Sequence, residues 1–281
     1  MLLTLLAMIT ACSPSNQPTP TQTPLPPTST PTQTFTPSPI LTSTPLTCAT
    51  QTGRVDKGLL ASTKPAQEYF IYLPPCYAQN LDARYPVLYL LHGQTYKDDQ
   101  WIRIGAVAAM DKLVLSGEIA PFIIIFPDDR YWYSQDSGDS FGERLVDTLI
   151  PYIDKTYRTL PDREERAIGG LSRGAGWALR LGLTHWQLFG HIGLHSLAVL
   201  DMDAELIEDW LKAIPAASYP TIFMDIGESD PELGRAKLTQ ELFTKFKIPN
   251  ELHTSPGFHD EAYWSAHVEQ YLRWYGEGWD K

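Results

Sequence analysis

Charged side chains are missing from the first 53 residues of this 281-residue chain, because the first Asp, Glu, Lys or Arg is Arg54. The net charge of −11 therefore falls entirely on the rest of the chain. An acidic domain lacks the basic surface that binds nucleic acid, so we expect no nucleic-acid partner. The sequence also has no apolar run of the roughly 18 residues that a membrane-spanning helix needs.

The uncharged beginning of the chain has two parts. Residues 1–12, MLLTLLAMITAC, are apolar but too short to cross a bilayer, which is typical of the hydrophobic part of an export signal. ITAC resembles a bacterial lipobox, in which the cysteine, here Cys12, becomes the lipidated first residue; no Lys or Arg precedes the run, which departs from that pattern. Residues 13–47 hold 26 Pro, Thr or Ser among 35 positions, which predicts a disordered stalk. We expect an exported protein, at the cell surface or outside the cell, whose membrane attachment is a lipid at Cys12.

Cysteine is scarce, with three residues in the whole chain. If Cys12 carries lipid, Cys48 and Cys76 remain, and an even pair in an exported domain favours one disulfide. The alternative is two unrelated buried thiols, because the sequence does not show whether the geometry permits the bond.

Residues 48–281 have the pattern of one α/β domain. Apolar runs rich in branched residues alternate there with helical patterns, which predicts a mostly parallel central sheet with helices on both faces. The predicted strands lie at 68–74, 86–93, 122–129, 191–197, 221–227 and 251–255, and the predicted helices at about 203–214, at about 231–246 and after His259.

Four glycines surround one serine in AIGGLSRGAGWALR, residues 167–180. Such a cluster costs stability, so it indicates a turn that tolerates no Cβ or a backbone that something approaches closely. Gly170 and Gly174 flank Ser172 in the Gly-x-Ser-x-Gly pattern of a nucleophile elbow, a strained turn from a strand into a helix. The alternative is an ordinary glycine-rich loop. The strand-like RAIGG before the serine and the helical AGWALRLGLTH after it favour the elbow.

A serine hydroxyl becomes a nucleophile when an imidazole accepts its proton and a carboxylate fixes the tautomer of that imidazole. In α/β-hydrolases the acid and then the histidine follow the serine along the chain, each after a strand. Asp230 and His259 occupy those places after Ser172. Asp230 could instead only cap the helix that follows it, and Asp225 and Glu228 are rival acids.

Such a site also needs backbone N–H donors for the oxyanion that forms on the carbonyl oxygen. One donor is expected from Arg173, the residue after the nucleophile. The other is expected from Gln94 in LLHGQTYKDDQW, which follows a buried strand, with His92 fixing the shape of that loop.

The domain resembles a family of α/β-hydrolase esterases typified by esterase D, feruloyl esterases and mycolyltransferases. The resemblance covers residues 55 to 275 and lies in YFIYLPPCY, YPVLYLLHGQ, LIPYIDKTYRT, AIGGLSRGAG, GESD and GFHDEAYW. It implies a serine ester hydrolase that forms an acyl-enzyme and needs no cofactor or metal. An acyltransferase with the same triad and a non-catalytic carbohydrate or cell-surface binding module are the alternatives. Arg173 departs from the Met or small residue of many relatives, and we expect its side chain to pair with a loop acid such as Glu143.

We expect the substrate to be an ester of a small molecule or of a polysaccharide. Trp132, between Tyr131 and Tyr133, follows a central strand, and Trp101 and His195 are further candidates for the pocket. Aromatic walls suit phenolic acyl groups or sugars, although aromatic residues also pack in cores. Feruloyl or acetyl esters of plant polysaccharide are what the resemblance implies.

Overall fold

The computed structural model describes residues 51–129, 141–200 and 202–279. The export signal, Cys12, the stalk, Cys48 and Trp132 with its two tyrosine neighbours lie outside the described residues. The Cys48–Cys76 bridge therefore stays a prediction. Among the residues that are described, none of the helices combines the length and the apolar character needed to cross a membrane.

Among the described residues, eight strands form one sheet: β1 Arg54–Leu60, β2 Gln67–Leu73, β3 Val87–Leu91, β4 Ile123–Pro127, β5 Arg166–Leu171, β6 His191–His195, β7 Thr221–Gly227 and β8 Asn250–Ser255. Their order across the sheet is β1-β2-β4-β3-β5-β6-β7-β8. Strand β2 is antiparallel to β1 and to β4, and every pair from β4 to β8 is parallel. The sheet confirms the predicted mostly parallel α/β-hydrolase fold.

Helices cover both faces of the sheet, because successive side chains of a strand point to opposite faces and both sets are apolar here. In β3, Val87, Tyr89 and Leu91 join one buried cluster, and Leu88 and Leu90 join the other. The helices are α1 Gln100–Arg103, α2 Ala106–Leu115, α3 Phe141–Glu143, α4 Ile150–Thr156, α5 Arg173–Thr184, α6 Ile207–Ala213, α7 Leu233–Lys245 and α8 Glu261–Glu277, with a π-helical segment Arg144–Leu149 between α3 and α4. The first cluster includes residues of α3 to α7, and the second includes residues of α1, α2 and α8.

A tyrosine of α8 inserts against the centre of the sheet. Gly169 of β5 and Gly193 of β6 are direct neighbours, and a Cβ atom on either one would collide with the Tyr275 hydroxyl. Tyr275 is buried, and its hydroxyl oxygen lies 3.1 Å from Nε2 of His195. The two glycines thus make room for a side chain that fixes α8 to the sheet by shape and by a hydrogen bond.

Candidate active site

Ser172 occupies the sharp turn between β5 and α5. Its backbone has φ 55° and ψ −121°, a left-handed conformation that is strained for a residue with a side chain. The turn is tight enough that a Cβ on Gly170 would collide with the backbone of Gly174, and a Cβ on Gly174 would lie 2.6 Å from the carbonyl oxygen of His92. Both glycines are therefore required by close backbone approach, and the elbow packs directly on the end of β3.

The three residues of the predicted triad meet at the carboxyl edge of the sheet. The Ser172 Oγ atom lies 2.7 Å from Nε2 of His259, and Nδ1 of His259 lies 2.8 Å from Oδ2 of Asp230. In the neutral imidazole, Nδ1–H donates to the carboxylate, so Nε2 is free to accept the serine proton. The His259 side chain is 24% exposed and that of Asp230 is 0% exposed, so the imidazole reaches the cleft and the carboxylate lies behind it.

The second oxygen of Asp230 is also occupied. Oδ1 accepts the backbone N–H of Glu232 at 2.8 Å, which closes the turn that leads into α7. Burial opposes ionisation of Asp230, but the hydrogen bonds from His259 and from the Glu232 amide hold the pKa of its carboxyl below the usual value. Asp230 is therefore a permanent anion at neutral pH, and it both shapes the loop and orients the histidine.

The rival acids lie elsewhere. Asp225 is buried within β7, where it accepts hydrogen bonds from Nδ1–H of His195 at 2.8 Å and from the Tyr271 hydroxyl at 2.5 Å. Glu228 is exposed. Neither carboxylate is hydrogen-bonded to His259 in the described part of the chain.

Two predicted pocket residues do not line the cleft. His195 is 0% exposed, and its ring stacks on that of Tyr271 with the centroids 3.8 Å apart. Trp101 is 1% exposed, and its indole N–H donates to the carbonyl of Leu91 at 2.8 Å. The prediction that these residues form the pocket is wrong, because both are packed beneath the site and their polar atoms are satisfied there.

The cleft itself has a volume of about 460 Å³ and opens above Ser172. Two aromatic residues that the sequence did not single out as pocket residues lie on it, Tyr96 and Trp264. Tyr96 is two residues beyond Gln94, and Trp264 follows His259 by five, so both are close in sequence to predicted site residues. The lining consists of Gly93, Gln94, Thr95, Tyr96, Ser172, Ala198, Pro231, Glu232, His259, Asp260 and Trp264.

The two predicted oxyanion donors lie beside the nucleophile. Arg173 is the first residue of α5, where a backbone N–H has no acceptor within the helix. Gln94 lies on the cleft, and the preceding amide of Gly93 is engaged, since it donates to Oε1 of Gln100 at 2.8 Å. The engaged amide of Gly93 excludes that residue as the second donor, and the Gln94 N–H stays the predicted one.

The Arg173 side chain is paired, as expected, but with a different acid. Its Nε donates to Oδ2 of Asp129 at 3.0 Å. Asp129 follows β4, whose carboxyl end lies at the same edge of the sheet as the elbow. The prediction of Glu143 as the partner is wrong. The order of residues along the chain does not show which acid lies beside Arg173 in the folded protein.

One group among the described residues has the ligand spacing of a metal site. Oxygen atoms of Glu68, Asp98 and Asp128 lie within 4.8 Å of one another. The Lys57 ammonium lies 2.8 Å from Oε2 of Glu68, so a positive charge is already present at this cluster. Burial, followed by the charge of Asp128, raises the pKa of Asp98 to about 6.

Comparison with known proteins shows that the chain is similar to esterases. Residues 61–275 match the model of the family described as "Putative esterase". An endo-1,4-beta-xylanase/feruloyl esterase of Xylanibacter ruminicola is 34% identical over 194 residues, which are 64% of this chain and 25% of that protein. An acetyl esterase of Caldicellulosiruptor saccharolyticus is 29% identical over 161 residues, which are 57% of this chain and 59% of that protein.

A solved ferulic acid esterase has a similar structure. It superimposes with a TM-score of 0.73 at 27% sequence identity, and the match covers 81% of this chain and 99% of that one. The chain thus covers nearly all of this structure but only a quarter of the xylanase/feruloyl esterase, a longer protein.

Proposed function

The chain belongs to this esterase family, and from that membership we propose that it is a carboxylic-ester hydrolase in which Ser172 forms an acyl-enzyme. The observation that carries the proposal is the continuous path of hydrogen bonds from Ser172 through His259 to Asp230, with distances of 2.7 and 2.8 Å. A lone buried histidine or carboxylate would have a structural explanation. An imidazole between a strained serine and an ionised carboxylate at the wall of a cleft is the arrangement that activates a nucleophile.

The reaction proceeds in two steps. Nε2 of His259 accepts the Ser172 proton as Oγ attacks the ester carbonyl, and the N–H groups of Gln94 and Arg173 receive the developing oxyanion. The imidazolium then protonates the departing alcohol, which leaves the acyl group on Oγ. In the second step His259 takes a proton from water as the water oxygen attacks the acyl carbonyl. The bond between the acyl carbon and Oγ then breaks while the imidazolium returns its proton to Oγ, which releases the acid and restores Ser172. Asp230 stabilises the imidazolium in both steps.

Feruloyl or acetyl esters of plant polysaccharide are the proposed substrates. Support comes from relatives named as feruloyl and acetyl esterases and from the rings of Tyr96 and Trp264 on the cleft. An aromatic wall suits a phenolic acyl group or the face of a sugar.

We also propose that the protein is exported and attached to the membrane by lipid at Cys12, with Cys48 bonded to Cys76. The uncharged apolar start, the Pro/Thr/Ser-rich stalk and the even pair of cysteines support this. Mass spectrometry of the mature protein checks both parts. A chain that retains residues 1–11, or two thiols that alkylate without reductant, would refute them.

The first prediction tests the nucleophile. Wild-type protein should hydrolyse p-nitrophenyl acetate, methyl ferulate or acetylated xylan, and a fluorophosphonate probe should label it on Ser172. Ser172→Ala should lose both turnover and labelling, because the covalent step has no other nucleophile. Ser116→Ala is the matched control, since Ser116 is an exposed residue that follows α2, and this variant should keep both. Activity retained in Ser172→Ala would rule out the acyl-enzyme.

A further inference from the structure

The peptide between Gly93 and Gln94 is held in one orientation. The Gly93 carbonyl oxygen accepts Nδ1–H of His92 at 2.8 Å and the backbone N–H of Tyr96 at 3.3 Å. In a planar trans peptide the C=O and the following N–H point in opposite directions. Whatever fixes the Gly93 carbonyl therefore also fixes the direction of the Gln94 N–H, the donor proposed for the oxyanion.

His92 can make that hydrogen bond in one tautomer only. The backbone N–H of Asp129 donates to Nε2 of His92 at 2.8 Å, so Nε2 is unprotonated and the proton of the neutral ring is on Nδ1. The nearest carboxylate oxygen of Asp128 is 3.5 Å from Nε2, too far to compete with the amide. His92 is 4% exposed, so water does not offer the ring an alternative partner.

Asp129 also holds the other donor. Its Oδ2 accepts Nε–H of Arg173 at 3.0 Å and the indole N–H of Trp177 at 2.9 Å. Arg173 and Trp177 lie one turn apart at the start of α5, and the backbone N–H of Arg173 is the second proposed donor. Asp129 is 3% exposed, and both bonds are charge-assisted; the one from Trp177 is buried and the one from Arg173 is partly buried.

We propose that His92 and Asp129 are positioning residues that set the two donor amides of the oxyanion hole, those of Gln94 and Arg173, at a fixed separation. Asp129 acts on one side through its backbone N–H and His92, and on the other side through its carboxylate and the start of α5. This inference rests on the proposed function, because an oxyanion forms only if Ser172 attacks an ester.

The proposal has a specific kinetic signature. The oxyanion exists in the transition state but not in bound substrate, so misdirecting a donor lowers kcat and leaves KM nearly unchanged. It also weakens binding of a trifluoromethyl ketone, which forms a tetrahedral adduct with serine, in parallel with the loss of kcat/KM. A defect of folding or of substrate binding does not produce this combination.

Two substitutions of His92 separate the role of its nitrogens. In His92→Asn the side-chain amide nitrogen lies near the position of Nδ1 and can still donate to Gly93. In His92→Gln the polar group reaches the position of Nε2 instead, and the Gly93 carbonyl loses this donor. We expect a fall in kcat of about 10- to 100-fold for His92→Gln, below the roughly 100- to 1,000-fold for removing a donor outright, and of less than about fivefold for His92→Asn.

The Arg173 side is tested with Arg173→Met and Asp129→Asn. Arg173→Met keeps the backbone N–H but removes the hydrogen bond between the side chain and Asp129. It should lower kcat about 3- to 10-fold with unchanged KM. Asp129→Asn keeps an acceptor for Arg173 and Trp177, so its kcat should fall less than that of Asp129→Ala. These variants keep the inference testable if the His92 variants do not fold.

The outcomes distinguish this inference from the proposed function. If Ser172→Ala remains active, the acyl-enzyme itself is refuted. If Ser172→Ala is inactive but His92→Asn and His92→Gln lose kcat equally, or all the variants raise KM alone, the positioning role is refuted and the nucleophile stands. Parallel losses of kcat/KM and of affinity for the ketone, larger for His92→Gln than for His92→Asn, support it.

Discussion

Two buried carboxylates, each hydrogen-bonded to a histidine, have different tasks in this molecule. Asp230 holds the imidazole that reaches the cleft, and Asp225 holds His195 beneath the sheet together with Tyr271. The difference is one of environment, since the His259 side chain is 24% exposed whereas His195 is fully buried.

Asparagine substitutions should separate catalysis from stability at these two positions. Asp230→Asn should cut kcat by several orders of magnitude near neutral pH, about 10⁴-fold in the serine-protease precedent, with KM largely kept. Asp225→Asn should instead lower the free energy of unfolding by about 1–3 kcal/mol, because it disturbs buried hydrogen bonds. Turnover per folded molecule and urea unfolding measure the two effects, and Glu228→Gln is the exposed control. A stable but inactive Asp225→Asn alongside an active Asp230→Asn would reverse the assignment.

At the residue scale, the sequence predicted those residues whose place follows from their order along the chain. Ser172, Asp230 and His259 follow the order of the fold, each in a loop after a strand, and the structure has them in contact. The order of residues along the chain does not show which side chains are buried. Trp101 and His195 were predicted to line the pocket because their residue types suit one, but each is packed under it.

At the scale of elements, the elbow and the end of β3 must fit backbone to backbone. Gly174→Ala would push a methyl group against the carbonyls of Leu91 and His92, which the backbone can relieve only by shifting α5. We expect a loss of about 1–3 kcal/mol in stability and a fall in kcat, because the nucleophile moves with α5.

Gly234→Ala is the matched control for that substitution. Gly234 lies in α7, exposed, with nothing within 4 Å of the added Cβ. Alanine favours a helix over glycine, so this variant should gain about 0.5–1 kcal/mol and keep full activity. Thermal unfolding and kinetics of the two proteins check the pair. Equal effects of the two alanines would show that the elbow tolerates a side chain.

Predictions of elements succeeded where burial leaves a clear pattern. The central strands β3 and β4 are continuous apolar runs, and both were predicted to within two residues. Strand β1, RVDKGLL, was missed because an edge strand is covered on few sides and here carries charged residues and a glycine. The strand conformation of its seven residues results from pairing with β2, which is a tertiary contact. The helix predicted at 203–214 is a short 3₁₀ turn, Asp203–Glu205, followed by α6.

At the scale of the whole molecule, stability should depend on pH through Asp98. Burial raises its pKa to about 6, whereas an unfolded chain has a value near 3.9. Between these values the folded state binds the extra proton, so the contribution of Asp98 to stability falls as pH rises from about 4 to 6 and stays low above that. We expect Asp98→Asn to be more stable than wild type by about 1–3 kcal/mol above pH 7, and by much less near pH 4.5.

Urea unfolding of both proteins at several pH values between 4.5 and 8 measures that difference. Groups distant from Asp98 titrate alike in both proteins, so the difference reports Asp98 together with the neighbouring Asp128 charge to which it is coupled. A gap in unfolding free energy that does not change with pH would show that Asp98 is charged in the folded state throughout.

The insertion of Tyr275 between Gly169 and Gly193 has a consequence for the time order of folding during synthesis. The ribosome makes His195 of β6 80 residues before it makes Tyr275 of α8, and it makes β5 earlier still, yet the space beside the two glycines is occupied by the Tyr275 hydroxyl. Until that helix is made, the space beside the two glycines lacks the Tyr275 ring, and Nε2 of His195 lacks the Tyr275 hydroxyl as its partner. We therefore expect the centre of the sheet to reach its final packing only when α8 docks on it.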